Sequence, residues 1–438
     1  MTNATAQNPG FVRDKMLPQA VPPIGQKGAI KWLRENLFSS VLNTVLTLVS
    51  IWVVYFVLSH IAPWFFNSIW DAKSLTECRE IRDATLGADA SAACFAVISD
   101  RWQQLLFGFY PSSEYWRPVL ALVLMVVGIM PVLFQSIERK WLIASALLPF
   151  VLFFLLWGGS IWLPITIASG FVLGYFVNKI GTPILGSIAG FVAMILIPIL
   201  YWVYAAAPLA DAIHSVLPIG LDFIQSKDFG GFMLSIVIGV AGIVLSLPLG
   251  IMLALGRQSD MFIVNKLSTG FIEVIRGVPL IVWLFTASLL LNYFLPPGTN
   301  FDLMLRVIIM VTLFSAAYIA EVVRGGLAAL PKGQYEGGDS LGLNYWQSMR
   351  LIILPQALKI SIPGIVNTFI GLFKDTTLVV FIGLLDPIGL TNSIRSSTDW
   401  NGIYWELYVF IGLMFFIFCF SMGRYSLYLE RKLQREHR

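Results

Sequence analysis

The chain has 438 residues, 57% of them hydrophobic and only 12% charged, with a formal net charge of +4. Ordinary soluble domains carry roughly a quarter charged residues, so a water-soluble core could not hide this much apolar surface, and the composition predicts an integral membrane protein. Three cysteines are too few for a disulfide scaffold or a metal cluster, and His60, His214 and His437 lack metal-ligand spacing.

A membrane span needs about 20 mainly apolar residues, and ten spans are predicted, giving an all-α polytopic fold. The first five cover Ser39–Trp64, Pro118–Gln135, Trp141–Trp157, Ile161–Val177 and Ile184–Tyr204. The remaining five cover Phe232–Leu255, Val278–Leu295, Leu303–Val323, Ile360–Leu385 and Leu407–Tyr425. The third and fourth are short and separated only by Gly158-Gly159-Ser160, so a single long helix or a re-entrant hairpin stays open there, with Pro149 and Pro164 favouring a bend. The first span follows a basic segment and is too long for the apolar core of a cleavable signal, so it is expected to be retained as an anchor.

Residues 1–38 then form an N-terminal segment, 39–220 a region of five spans, 230–425 a second unit of five, and 426–438 a basic tail, with the division near Gly220–Gly231. The loop near 65–117 is mixed in charge and holds Trp102, Phe107, Phe109 and Tyr110, an aromatic set suited to a membrane surface. It also holds Cys78 and Cys94, which can bridge in an oxidising compartment, although spacing alone does not fix the geometry. Cys419 falls in the last span and is read as packing. Lys and Arg are retained on the cytoplasmic side. With both termini inside, 20 basic residues lie on that side against 8 outside. The positive charge is thus an orientation signal, and no nucleic-acid partner is expected.

The most informative polar segment lies between the eighth and ninth spans. It runs Ala329-Leu330-Pro331-Lys332-Gly333-Gln334-Tyr335-Glu336-Gly337-Gly338-Asp339-Ser340-Leu341-Gly342 and continues to Leu354-Pro355-Gln356. A chain reversal needs far less, and a disordered linker would avoid Tyr345, Trp346, Met349 and Ile352. The segment reads as a small folded knob built to seat in another protein.

The knob resembles the EAA loop of bacterial ABC importer permeases: Glu336, two small residues in Gly337-Gly338, Gly342 six positions after the glutamate, and a distal Ile352-Ile353-Leu354-Pro355. Other segments match in order: Phe271-Ile272-Glu273-Val274-Ile275-Arg276-Gly277-Val278-Pro279, Ala316-Ala317-Tyr318-Ile319-Ala320-Glu321-Val322-Val323-Arg324-Gly325-Gly326, and Lys374-Asp375-Thr376-Thr377. Together, from about Gly230 to Tyr425, they are similar to the polar amino-acid branch of type I importer permeases. The five additional spans resemble the general L-amino-acid transporters of the Aap/Bzt type. The resemblance implies a bacterial inner-membrane location and three partners: an ABC ATPase subunit, a periplasmic amino-acid-binding protein, and a second permease chain, related but not identical. The family usually has alanines where this chain has Gly337-Gly338, and two glycines cost roughly 1 kcal/mol each in helix propensity. The first short helix of the knob is therefore expected to be looser.

The same residues can be read physically. Glu273 and Arg276, like Glu321 and Arg324, are three apart and share a helix face. An interfacial anchor and a gating or coupling role are both open to each pair. Gly325-Gly326 is expected to end its helix, and Glu336 to lie near the start of the next, where a carboxylate suits the dipole. Gly342 is expected to mark a sharp turn, and Leu354-Pro355 to close the second short helix before the next span. Lys374 and Asp375, with Thr376 and Thr377, fall about halfway along the predicted Ile360–Leu385 span. Charges there are expensive and face a cavity or a partner, so both a substrate path and a structural interface remain open.

No phosphate-loop motif, nucleophile elbow or zinc-binding helix occurs. No catalytic residue, metal site or cofactor is expected in this chain, and ATP hydrolysis is expected in a partner. A secondary transporter is the competing class. It should carry inverted repeats and would not need the knob.

Overall fold

The computed structural model describes residues 28–134, 136–290, 293 and 302–435. The basic segment before residue 28, the end of the expected span at Leu295 and the last three residues lie outside the described residues. Among the described residues, eight helices are long and apolar enough to cross a membrane, or ten if each of two bent pairs counts as one span.

The described residues divide into two compact units, one of those up to 69 with 81–93, the other of 70–80 with those from 94 onward. In the first, α1 (Gly28–Asn36) precedes α2 (Val41–Phe66), which Ser40 caps by accepting from the Asn43 N–H at 3.2 Å. No residue of α2 is buried, and its apolar side chains point outward all round, as suits a helix solvated by lipid. The 81–93 segment is tied to the end of α2 by the Ala93 N–H donating to the Trp64 carbonyl at 2.8 Å.

The second unit holds residues from both sides of the expected division at 220–230. It receives α3 (Leu75–Thr85) through residues 75–80 and contains α4 (Ala96–Phe107), α5 (Trp116–Leu133), α6 (Leu142–Trp157), α7 (Trp162–Leu185), α8 (Ser187–Tyr204) and α9 (Ala206–Val216). The third and fourth expected spans are thus two helices, α6 and α7. Gly158 and Gly159, both at positive φ, turn the chain between them, and Gly159–Ser160 pairs antiparallel with Gly220–Leu221. The expected break between the fourth and fifth spans moves: α7 runs through Lys179 and Pro183 to Leu185, and Gly186 at φ +83° makes the turn. A glycine supplies that conformation without the steric cost a side chain would add, so it outcompetes a charged residue and a proline as the break.

The remaining helices are α10 (Gly231–Arg257), α11 (Phe262–Gly277), α12 (Leu280–Phe285, continued by a π-turn to Leu290), α13 (Leu303–Ala328), α14 (Lys332–Ser340), α15 (Tyr345–Ser348), α16 (Leu354–Asp375), α17 (Pro387–Arg395) and α18 (Trp405–Arg435). Helices α10 and α13 pack along their length, because Gly242 and Gly250 leave room for Val311 and Ile319. Two apolar clusters result. One, at the α14 end, joins Ala254, Ile272, Ile319, Val323, Leu327, Ile353 and Ala357. The other joins Phe229, Leu234, Ile238, Leu284, Met304 and Val311 with Tyr110, Leu155 and Leu156 from the first half of the chain.

Candidate functional site

The knob folds on the core. Pro331 enters α14, a nine-residue helix, and Tyr335 and Ile352 pack against the cluster around Leu327 and Ile353. Tyr335 Oη also donates to the Leu327 carbonyl at 3.5 Å, and Gln356 Nε2 donates to Gln334 Oε1 at 2.8 Å, holding the two ends of the knob together. Glu336 lies in the middle of α14, not near its start, and is exposed with Asp339 and Ser340. Ser340 Oγ donates to the Glu336 carbonyl at 2.8 Å.

Gly342 turns the chain at φ +69°, where a side chain would be strained. Asn344 then opens α15 with a capping box, its side chain accepting from the Gln347 N–H while Gln347 Oε1 accepts from the Asn344 N–H. Gly338 is buried against α15: a Cβ there would stand 2.5 Å from Ser348 Oγ, whereas nothing lies within 4 Å of one at Gly337. The two glycines therefore differ, one allowing close helix approach and the other loosening an exposed turn.

Leu354-Pro355 does not close the second short helix. Residues Tyr345–Ile382 form one continuous helical run, with a π-turn over Met349–Ile353. Pro355 lacks an N–H and sits in the first turn of α16, where the wider π-turn absorbs it. Leu341, Trp346 and Leu351 are exposed on the knob, Trp346 by 69%.

Just before the knob, α13 carries an ionic cluster. Glu321 is 2.6 Å from Arg257 on α10, 3.0 Å from Arg324 on its own helix and 3.7 Å from Arg276 on α11. The expected Glu321–Arg324 pair is present. The expected pairing of Glu273 with Arg276 is not: Glu273 pairs with Arg257 at 2.9 Å, and the Arg276 guanidinium turns to Glu321 and the Tyr318 ring. Helix contact decides this, because α11 meets α12 at 102° and brings its charged face to α10 and α13. Local sequence marks Arg257 only as a basic residue at the end of a span, and its two carboxylate partners lie on other helices. Gly325-Gly326 does not end α13, which runs to Ala328. Gly326 instead lets α16 approach, since a Cβ there would meet Ala357 O at 2.5 Å and clash with Ser361 Oγ.

Lys374 and Asp375 sit where α16 changes into the tighter 3₁₀ turn Thr376–Ile382, and so at a helix junction instead of the middle of a uniform span. Lys374 is exposed and Asp375 half-buried. Neither forms an ion pair within 4.0 Å among the described residues. Thr376 Oγ1 and Thr377 Oγ1 donate to the Phe373 and Lys374 carbonyls, which leaves both hydroxyls tied to the backbone. Cys78 and Cys94 are joined as a disulfide with their Cα atoms 6.1 Å apart, remote in sequence from the knob.

The likeness to known proteins bears on this arrangement. Residues 246–435 match the family model described as "Binding-protein-dependent transport system inner membrane component". The chain is 57% identical over 98% of its length, and 99% of the relative's, to the glutamate/glutamine/aspartate/asparagine transport system permease protein BztC of Rhodobacter capsulatus. It is 37% identical, over 92% of its length and 93% of the relative's, to the inner membrane amino-acid ABC transporter permease protein YhdY of Escherichia coli. A probable glutamine ABC transporter permease protein of Bacillus subtilis, GlnP, is 30% identical over 46% of this chain and 90% of its own length. The chain therefore belongs to the binding-protein-dependent ABC transporter permeases, in the polar amino-acid branch of the Aap/Bzt type, and is a multi-pass membrane transport subunit.

Proposed function

We propose that this permease carries acidic amino acids and their amides across the bacterial inner membrane, powered by a separate ATPase that seats on the knob of α14 and α15. The observation that carries the substrate class is the 57% identity to a glutamate/glutamine/aspartate/asparagine permease along nearly the whole of both chains. The knob supports the coupling reading: Leu341, Trp346, Leu351 and Glu336 are all exposed on it, and α15 is continuous with α16. A push on the knob would then reach Lys374 and Asp375 through a single helical rod. A carboxylate substrate suits Lys374 and an ammonium suits Asp375.

Both termini are cytoplasmic in this reading, which puts the knob inside and the α16–α18 connection outside. A soluble receptor delivers substrate at the outer end, and a second, related permease chain supplies the other half of the path. The test is purification of the chain from native membranes with identification of the copurified proteins, joined to uptake of labelled glutamate, aspartate, glutamine and asparagine in a deletion strain. An ATPase and a receptor in the preparation, with uptake restored by the chain, are the expected results. Restored uptake with no ATPase bound would refute the coupling reading.

A further inference from the structure

The connection between α16 and α18, residues 376–404, links the two helices at the end of the core opposite the knob, and segments 70–80 and 94–117 of the same unit grip it. Trp400 is fully buried, and its Nε1 donates to Asp100 Oδ2 on α4 at 2.8 Å. The same carboxylate oxygen pairs with Arg101 Nε at 2.8 Å, and Arg101 reaches Asp399 at 3.7 Å. Two further bonds flank the disulfide. The Leu75 N–H donates to the Asp399 carbonyl at 2.8 Å, and the Cys94 N–H donates to Glu406 Oε1, in the first turn of α18, at 2.9 Å. Cys78 is three residues from Leu75, so the disulfide ties together the two strands of chain that hold the start of α18.

We propose that this disulfide-braced loop is a positioning clamp for transport, fixing the outer ends of α16 and α18 so that a docked receptor acts on them as one body. The inference rests on the reading that a soluble receptor delivers substrate at this end. Hydrogen bonds from a buried indole N–H and from a backbone N–H to a carboxylate are directional, and the second of them is buried. They hold a connection that already contains an internal clasp, the Arg395 guanidinium lying 4.5 Å over the Tyr404 ring. Without the clamp the connection would sample more arrangements, and receptor binding would have to order it, which lowers the apparent affinity. Asp100, Trp400 and Glu406 are positioning residues in this account and are not assigned contact with substrate.

The test is ATP hydrolysis by the complete transporter in lipid nanodiscs, titrated with substrate-loaded receptor. Asp100→Ala and Trp400→Phe each remove the bond and should raise the receptor concentration for half-maximal stimulation about five- to tenfold, with receptor-free hydrolysis at the parent rate. Asp100→Asn retains an acceptor oxygen for Trp400 and should return the parent midpoint. The double variant should be no worse than either single one, because both delete the same contact. Cys78→Ser with Cys94→Ser should move the midpoint in the same direction. A receptor-responsive parent with unmoved midpoints in Asp100→Ala and Trp400→Phe overturns this inference alone, as does an Asp100→Asn midpoint as poor as that of Asp100→Ala. A parent indifferent to the receptor overturns the proposed function and this inference together.

Discussion

Arg257 Nη1 lies 2.6 Å from Glu321 Oε1, joining α10 to α13 across 64 residues of sequence, and the same nitrogen reaches Glu273 on α11 at 2.9 Å. One guanidinium thus closes three helices at the root of the knob. The groups are partly exposed, so screening limits the pairing to about 1–3 kcal/mol. Arg257→Ala should lower the thermal unfolding midpoint of the purified chain. Arg257→Lys should recover only part, because an ammonium is more strongly hydrated than a guanidinium and loses more water to sit between two carboxylates. A parent-like midpoint in Arg257→Ala would remove the cluster from the account.

The knob glycines should separate by substitution. Gly342→Val forces a β-branched side chain into a left-handed turn at roughly 1–2 kcal/mol, and should reduce ATPase recovered in pull-downs at equal expression. Gly337→Ala meets nothing within 4 Å and should bind ATPase at least as well, gaining about 1 kcal/mol of helix propensity. Gly338→Ala requires the Ser348 hydroxyl to rotate away and should fall between them. Glu336→Lys, an exposed charge reversal, should weaken association in a salt-dependent way.

Much of this site was legible in local sequence, and the part that was not has a common cause. Gly342 announces a positive-φ turn by itself, and the knob's length with Tyr335, Trp346 and Ile352 announces a folded element. Pairs three apart on one helix are legible too, as Glu321 with Arg324 shows. Glu273 and Arg276 have the same spacing, yet each finds a partner on another helix. Which partner wins depends on the 102° bend after α11, a tertiary fact. The same holds for Leu354-Pro355, which looks like a break until the π-turn before it is seen. The grip of Asp100 on Trp400 joins residues 300 apart in sequence, beyond the reach of any local pattern.

Burial pushes the Asp386 carboxyl up to about 6, against the pull of the Gly389 and Ile388 N–H groups that it caps at the start of α17. A folded-state value above the ordinary one means that ionising this group opposes folding. The cost is absent below the ordinary value of 3.8 and grows as pH rises toward and through about 6. Asp386→Asn keeps the cap without the charge, so its unfolding midpoint should gain on the parent's as pH rises from 4 to 7. Asp386→Ala loses the cap, about 1 kcal/mol, at every pH. A parent-to-Asn difference independent of pH would contradict the burial argument.

Orientation is open to thiol labelling in a background where Cys419 is replaced. Engineered cysteines at Ser340 in the knob and Ser396 beyond α17 occupy exposed positions. A membrane-impermeant reagent applied to spheroplasts should label position 396 and spare position 340 until the membrane is opened. Labelling of 340 from outside would reverse the orientation and place the knob out of reach of a cytoplasmic ATPase.

The most direct measurement is uptake of labelled glutamate into proteoliposomes holding the complete transporter, with receptor outside and ATP or a non-hydrolysable analogue sealed within. The account predicts accumulation with ATP, none with the analogue, and a severe loss with Gly342→Val despite intact insertion. Accumulation that ignores ATP and instead follows an imposed proton or sodium gradient would contradict it.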